Sequence, residues 1–156
     1  MSSSILQIQP ITAEETYELR HQILRPNQPV EECAFALDRA PGSLHIGCFL
    51  DGKLVGVGTI FREGRDASTH GNVWRIRGMA VLAEVRGMGA GGRILQALID
   101  HATSHGLPGE IWCNGRANVR GYYERYGFVQ QGDIFDTPYT GPHALMVRAL
   151  QAEEAS

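Results

Sequence analysis

The chemistry-bearing part of the chain is Val81-Leu82-Ala83-Glu84-Val85-Arg86-Gly87-Met88-Gly89-Ala90-Gly91-Gly92-Arg93, which joins a strand-like segment to a helix-like one. Four glycines among the six positions from Gly87 to Gly92 let the backbone turn tightly and approach a ligand with no Cβ in the way. A helix that starts there presents free N–H groups and the positive end of its dipole, which together make an anion site. Arg93, near the first turn, opposes that dipole, a conflict relieved if an anion sits between them and Arg86 closes the other side. The plainer reading is a flexible turn followed by a tight helix–sheet contact. Gly87, Gly89 and Gly92 also satisfy the GxGxxG dinucleotide fingerprint. That fingerprint belongs at the first strand of a long βαβ series, whereas here more than half the chain comes before it. No GK[ST] is present, so a Walker A loop is excluded.

The elements that must position this loop can be read on either side of it. Ile5 to Gln9 alternates as an opening strand, and Thr12 with Glu15 forms a capping box for a helix reaching about Leu24, stopped by Pro26. Arg25 to Pro29 is a rigid loop, with a short helical piece over Val30 to Leu37. Asp51-Gly52 between Leu44–Leu50 and Leu54–Phe61 is a hairpin signal. Glu63 to Asn72 reads as a loop, and Trp74 to Val81 alternates as a strand. In the following helix Ile94, Leu95, Leu98, Ile99 and Ala102 share one face, and Gly106 and Pro108 end it. A strand near Ile111–Cys113, a short helix near Asn118–Arg125 and strands near Phe128–Phe135 and Ala144–Leu150 complete an α/β domain on a mixed sheet.

With 156 residues, 43% of them hydrophobic and 20% charged, the expectation is one domain over residues 1–156 with a core of its own. The net charge of −3 argues against general attraction to nucleic acid or to an anionic membrane. Any polyanion must be met locally, and 13 of the 14 basic residues are Arg, whose forked donors suit phosphate or carboxylate. Cys33, Cys48 and Cys113 are odd in number and form no CxxC pair, as expected in a reducing compartment without a disulfide framework. No secretory leader and no long apolar run is evident, so a cytoplasmic location is expected. His101 and His105 have a metal-compatible i, i+4 spacing but lie beside Asp100 and off the apolar stripe, and no metal site is expected.

Read as Arg-x-x-Gly-x-Gly, Arg86 to Gly91 resembles the pyrophosphate-binding motif of the GNAT superfamily of acyl-CoA-dependent N-acetyltransferases. Arg77-Gly78-Met79-Ala80-Val81 looks like the family's fourth strand. Asn118-Val119-Arg120-Gly121-Tyr122-Tyr123-Glu124-Arg125-Tyr126-Gly127-Phe128 is similar to its Asn-x-x-Ala-x-x-Phe-Tyr-x-x-x-Gly-Phe segment, with Gly121 and Tyr122 as departures. The match covers residues 73 to 128. The resemblance implies a mostly antiparallel, twisted mixed sheet flanked by helices, with a V-shaped split between the fourth and fifth strands that holds acetyl-CoA. It implies that Met79, Ala80 and Val81 offer backbone partners to the pantetheine arm, with Gly78 suited to a bulge or close approach. Arg86, Gly87, Met88, Gly89, Ala90, Gly91 and Gly92 would cradle the pyrophosphate, and Asn118 would hold the pantetheine region.

Tyr123 matches the family tyrosine near the thioester sulfur, and a phenol there can protonate the departing CoA thiolate. With ordinary pKa values of about 10 for Tyr and about 8.5 for a thiol, full transfer is not downhill, so the phenol helps mainly as charge develops. For Tyr122 and Phe128 the expectation is packing. A base is needed for the amine, and Glu84, Glu110, His45, His143, Glu31 or a water chain could serve. Cys113 with Asn114, and Gly141-Pro142-His143, could line the acceptor site or simply pack and turn. The resulting expectation is acetyl transfer from acetyl-CoA to a small amine or peptide amine by direct attack in a ternary complex, with neither nucleic acid nor membrane as partner and a homodimer left open. The alternatives are a non-catalytic acyl-CoA-binding or regulatory module of the same fold and, third, a dinucleotide oxidoreductase.

Overall fold

The computed structural model of the chain describes residues 5–66, 71–138 and 140–151. The serine start, residues 67–70 of the expected Glu63–Asn72 loop and the tail after Gln151 lie outside the described residues. Strand β1, Leu6–Ile11, leads into helix α1, Ala13–Leu19. The Glu15 N–H donates to the Thr12 hydroxyl and the Thr12 N–H to the Glu15 carboxylate, closing the capping box at 3.3 and 2.9 Å. The helix continues to Leu24 as expected, but Arg20–Leu24 winds as a π-turn. The helical piece expected over Val30–Leu37 is a 3₁₀ turn over Val30–Cys33 only.

Strands β2, Leu44–Leu50, and β3, Lys53–Arg62, form the expected hairpin. Asp51 and Gly52 both have positive φ, 51° and 82°, the geometry whose twist suits a two-residue hairpin loop. Strand β4, Val73–Val81, precedes the glycine loop and helix α2, Ala90–Ser104. Strand β5, Gly109–Arg116, leads through a 3₁₀ turn at Ala117–Val119 into helix α3, Arg120–Glu124. Strands β6, Val129–Thr137, and β7, Gly141–Leu150, close the chain.

One seven-stranded sheet runs in the order β1-β2-β3-β4-β5-β7-β6, antiparallel everywhere except between β4 and β5. Ile94, Leu95, Leu98, Ile99 and Ala102 of α2 are all buried against it, as their spacing predicts. The helix lies so close to β3 that a Cβ at Gly58 would stand 2.6 Å from Ile94 Cγ2 and 3.2 Å from Leu98 Cδ1. Among the described residues no helix is long and apolar enough to cross a membrane.

Two irregularities of β4 create the space for a site. Its parallel pairing with β5 covers only Val73–Arg75 against Glu110–Trp112, after which the strands part. The edge of Ile76–Val81 that faces β5 therefore has no strand partner. On the other edge Val57 pairs with Ala80 and Thr59 with Arg77, so Gly78 and Met79 together oppose Gly58 in a bulge. Gly78 has φ 66°, which a residue with a side chain adopts only at a cost.

A buried polar network fixes α1 and its π-turn over this region. Arg20, fully buried, donates to both carboxylate oxygens of Asp38 at 2.7 and 3.0 Å, to the Cys33 carbonyl and to Thr59 Oγ1. His45 adds Nδ1 to Thr59 and Nε2 to the Asp38 carbonyl. Removing one member of a buried pair leaves the other charge without compensation, so Asp38→Ala is expected to destabilise the fold by about 3–5 kcal/mol, measured by urea unfolding.

Candidate active site

Where β4 and β5 part, the surface opens into a cleft of about 1520 Å³. The glycine loop forms one wall. Gly87 and Gly89 have φ 89° and 83°, and a Cβ on either would meet nothing within 4 Å, so the backbone there faces open space. Gly89 precedes α2, its carbonyl accepting from the Arg93 N–H at 3.1 Å, and the next amides, of Ala90, Gly91 and Gly92, have no partner within the helix. Behind the loop stand two phenols, one on α3 and one in the turn just past its end. The Tyr122 hydroxyl is buried without a hydrogen-bond partner, 3.0 Å from where a Gly91 Cβ would lie, and the Tyr126 hydroxyl would collide with a Cβ on Gly92. Open backbone, free amides and an orphaned hydroxyl beside them fit a polyanionic group such as a pyrophosphate.

Tyr123 projects into the same cleft and is only 7% exposed, its ring edge-on to Tyr122 and Phe128 at 5.3 and 5.6 Å. Its hydroxyl lies beside the Cys113 thiol. Burial first, then the neighbouring Cys113 and Tyr122, holds the phenol well above its ordinary value, and burial pushes the Cys113 thiol up to about 12. Both groups are neutral donors throughout the physiological range. The Gly115 backbone passes so near that a Cβ would lie 2.9 Å from Tyr123 Cε2, so β5 needs glycine there for the phenol to reach the cleft.

Of the bases considered, His143 alone lines the cleft among the described residues. Its Nδ1 lies 2.8 Å from the Gly141 carbonyl and 3.2 Å from the Thr137 hydroxyl, and in the tautomer whose Nδ1–H donates to that carbonyl Nε2 is the acceptor. His45 has both nitrogens engaged in the Arg20 network, Glu110 pairs with Arg65 at 2.5 Å, Glu84 pairs with Lys53 at the surface, and Glu31 is exposed.

The model of the acetyltransferase (GNAT) family matches residues 5–128 of this chain. The chain belongs to the GNAT acetyltransferase family. It is 36% identical over 147 residues to the uncharacterized N-acetyltransferase YitI of Bacillus subtilis strain 168, covering 94% of this chain and 98% of that one. In fold it resembles Escherichia coli ElaA, with a TM-score of 0.75 at 19% identity over 92% of this chain and 99% of that one. It is also similar to an aminoglycoside 6'-N-acetyltransferase complexed with coenzyme A, with a TM-score of 0.71 at 13% identity over 96% and 99% of the two chains.

Within this GNAT domain the cleft brings together Met79, Ala80, Val81, Arg86, Gly87, Gly89, Ala90, Gly91 and Gly92 with Asn118 and Tyr123. Met88 is the exception, exposed and outside the lining. Arg93 corrects the expectation drawn from its position. Its guanidinium donates to the Leu6 carbonyl at 2.7 Å and does not line the cleft, so only Arg86 remains as a cation of the loop. His101 and His105 stack with each other and on Trp74, and His101 Nε2 donates to the Gly42 carbonyl. Sequence reasoning missed the unpartnered Tyr122 hydroxyl. The i, i+4 spacing of Tyr122 and Tyr126 was its available signal, because a helical turn brings the two rings together, here 5.7 Å apart.

Proposed function

We propose that this chain transfers an acetyl group from acetyl-CoA to a primary amine, by direct attack in a ternary complex. The observation that carries this reading is the parting of β4 and β5 after Arg75, opening beside a glycine loop with free amides and in front of Tyr123. Acetyl-CoA, when bound, supplies an activated acetyl carbon and a thiolate leaving group. The backbone of Gly87–Gly92 and the Arg86 guanidinium hold the pyrophosphate, with the Tyr122 hydroxyl donating toward it. The unpaired edge of Met79, Ala80 and Val81 takes the pantetheine amides as a neighbouring strand would, and Asn118 holds the same arm.

His143 Nε2 removes the proton that keeps the amine from being nucleophilic. As the C–N bond forms and the C–S bond breaks, Tyr123 donates its hydroxyl hydrogen bond to the sulfur. Its raised pKa makes it a positioned donor that stabilises the charge developing on the sulfur, and the departing thiolate takes its proton from solvent. The experiment is a mass balance with purified protein, acetyl-CoA and a panel of amines. One N-acetylated amine formed per CoA released is expected. Binding of acetyl-CoA with no transfer to any amine class would favour a non-catalytic acyl-CoA-binding module.

A further inference from the structure

The same cleft holds six arginines, Arg25, Arg75, Arg77, Arg86, Arg116 and Arg125, and among the described residues no Asp or Glu lines it. In a chain whose net charge is −3, that concentration of one sign is a local design. Arg86 and Arg125 stand with the glycine loop and α3, and Arg75 is neutralised by Glu63 at 2.8 Å. The other three sit around the part of the cleft roofed by the π-turn and the loop after it. Arg77 and Arg25 stack on one ring, their guanidinium carbons 3.9 and 5.6 Å from the centroid of Phe35. Arg116 donates to the Leu24 carbonyl at 3.3 Å, which holds it against the residue next to Arg25. Arg20 also stacks on Phe35, but Asp38 already neutralises it.

The polar partners of these three are neutral. Arg25 donates to the Gln28 side chain and Arg116 to a carbonyl, while Arg77 makes no ion pair with any described carboxylate. An aromatic face orients a guanidinium without cancelling its charge. Burial, then the charges of Arg75 and Arg25, lowers the Arg77 pKa to about 10, as expected of a cation held among cations. Such an arrangement persists when an anion completes it, and forked donors converging from β4, β5 and the π-turn are suited to an oxyanion.

We infer that the acceptor is a small amine that also carries an oxyanion, a phosphate or a carboxylate, bound by Arg25, Arg77 and Arg116. This rests on the acetyltransferase reading and adds a substrate class to it. A polyamine, with no anion to offer and several positive charges, is repelled from this entrance.

The test separates the two layers. CoA is titrated first, and a protein that takes up none overturns the acetyltransferase reading itself. Inorganic phosphate is then titrated calorimetrically into the CoA-saturated protein, whose glycine loop is already filled. One saturable site is expected in the parent, weakened about tenfold or more in Arg77→Gln and in Arg25→Gln. Circular dichroism and CoA affinity of the variants confirm that they are folded. Matched amines then identify the source of the anion: O-phosphoethanolamine against ethanolamine, and β-alanine against β-alaninamide. The anionic member of at least one pair is expected to have about ten- to hundredfold higher kcat/KM, a ratio that falls toward one in Arg77→Gln. Absence of phosphate binding to the CoA-saturated parent, or binding that both substitutions leave intact, overturns the inference.

Discussion

Tyr123→Phe is expected to lower turnover about 10²- to 10⁴-fold at saturating substrates, the usual effect of losing a positioned proton donor. The ring contacts with Tyr122 and Phe128 survive the substitution, and the loss is one hydroxyl beside Cys113. Stability should therefore fall by only about 1 kcal/mol, and acetyl-CoA affinity should stay close to that of the parent. Tyr126→Phe is the matched control, since that hydroxyl lies against Gly92 and not beside Cys113. It should leave turnover within a few-fold of the parent. The pH profile gives a second reading. Burial favours the neutral phenol, so the folded protein retains this proton above the ordinary phenol pKa of about 10, and Tyr123 contributes no alkaline fall in rate below that pH. Full turnover in Tyr123→Phe, with chemistry rate-limiting, would assign stabilisation of the departing thiolate to another group.

The second large effect is on binding. Gly89→Val should weaken acetyl-CoA binding roughly a hundredfold or more, because it fills the open space beside the loop and disturbs at least two charge-assisted amide contacts. Gly89 has φ 83°, so a β-branched residue there also carries backbone strain of about 1–3 kcal/mol. That is within the stability of an ordinary domain, and a melting curve separates a folded, non-binding variant from an unfolded one. A folded Gly89→Val that binds acetyl-CoA as the parent does would move the phosphate elsewhere.

Local signals in the sequence match local structure closely. The Thr12–Glu15 box, the Asp51-Gly52 turn and the apolar stripe of α2 are each produced by residues within a few positions of one another, and all three are found in the fold. The parting of β4 and β5 was legible only through family resemblance, because no residue type announces where a parallel pairing stops. Strand β5 runs on past its apolar core through Asn114, Gly115 and Arg116, polar or small because they face a cleft and still paired to β7. Arg93 shows the limit of position-based electrostatics: a carbonyl of β1, distant in sequence, captures it. The group of Arg25, Arg77 and Arg116 was equally hidden, and His143 could be named only as one of five candidate bases. They come from separate elements, and only the pairing of Arg116 with His143 and the folding of the π-turn over β4 bring them to one place.

The central claim is that the loop from Arg86 to Gly92 and the unpaired edge of β4 form a site for an acyl-CoA. Calorimetric titration of the parent protein with acetyl-CoA, and separately with NADH, tests it most directly. Saturable one-to-one binding of acetyl-CoA, competed by CoA, with no measurable heat from NADH, is the predicted result. Saturable binding of NADH with none of acetyl-CoA would contradict it and return the glycine loop to a dinucleotide reading.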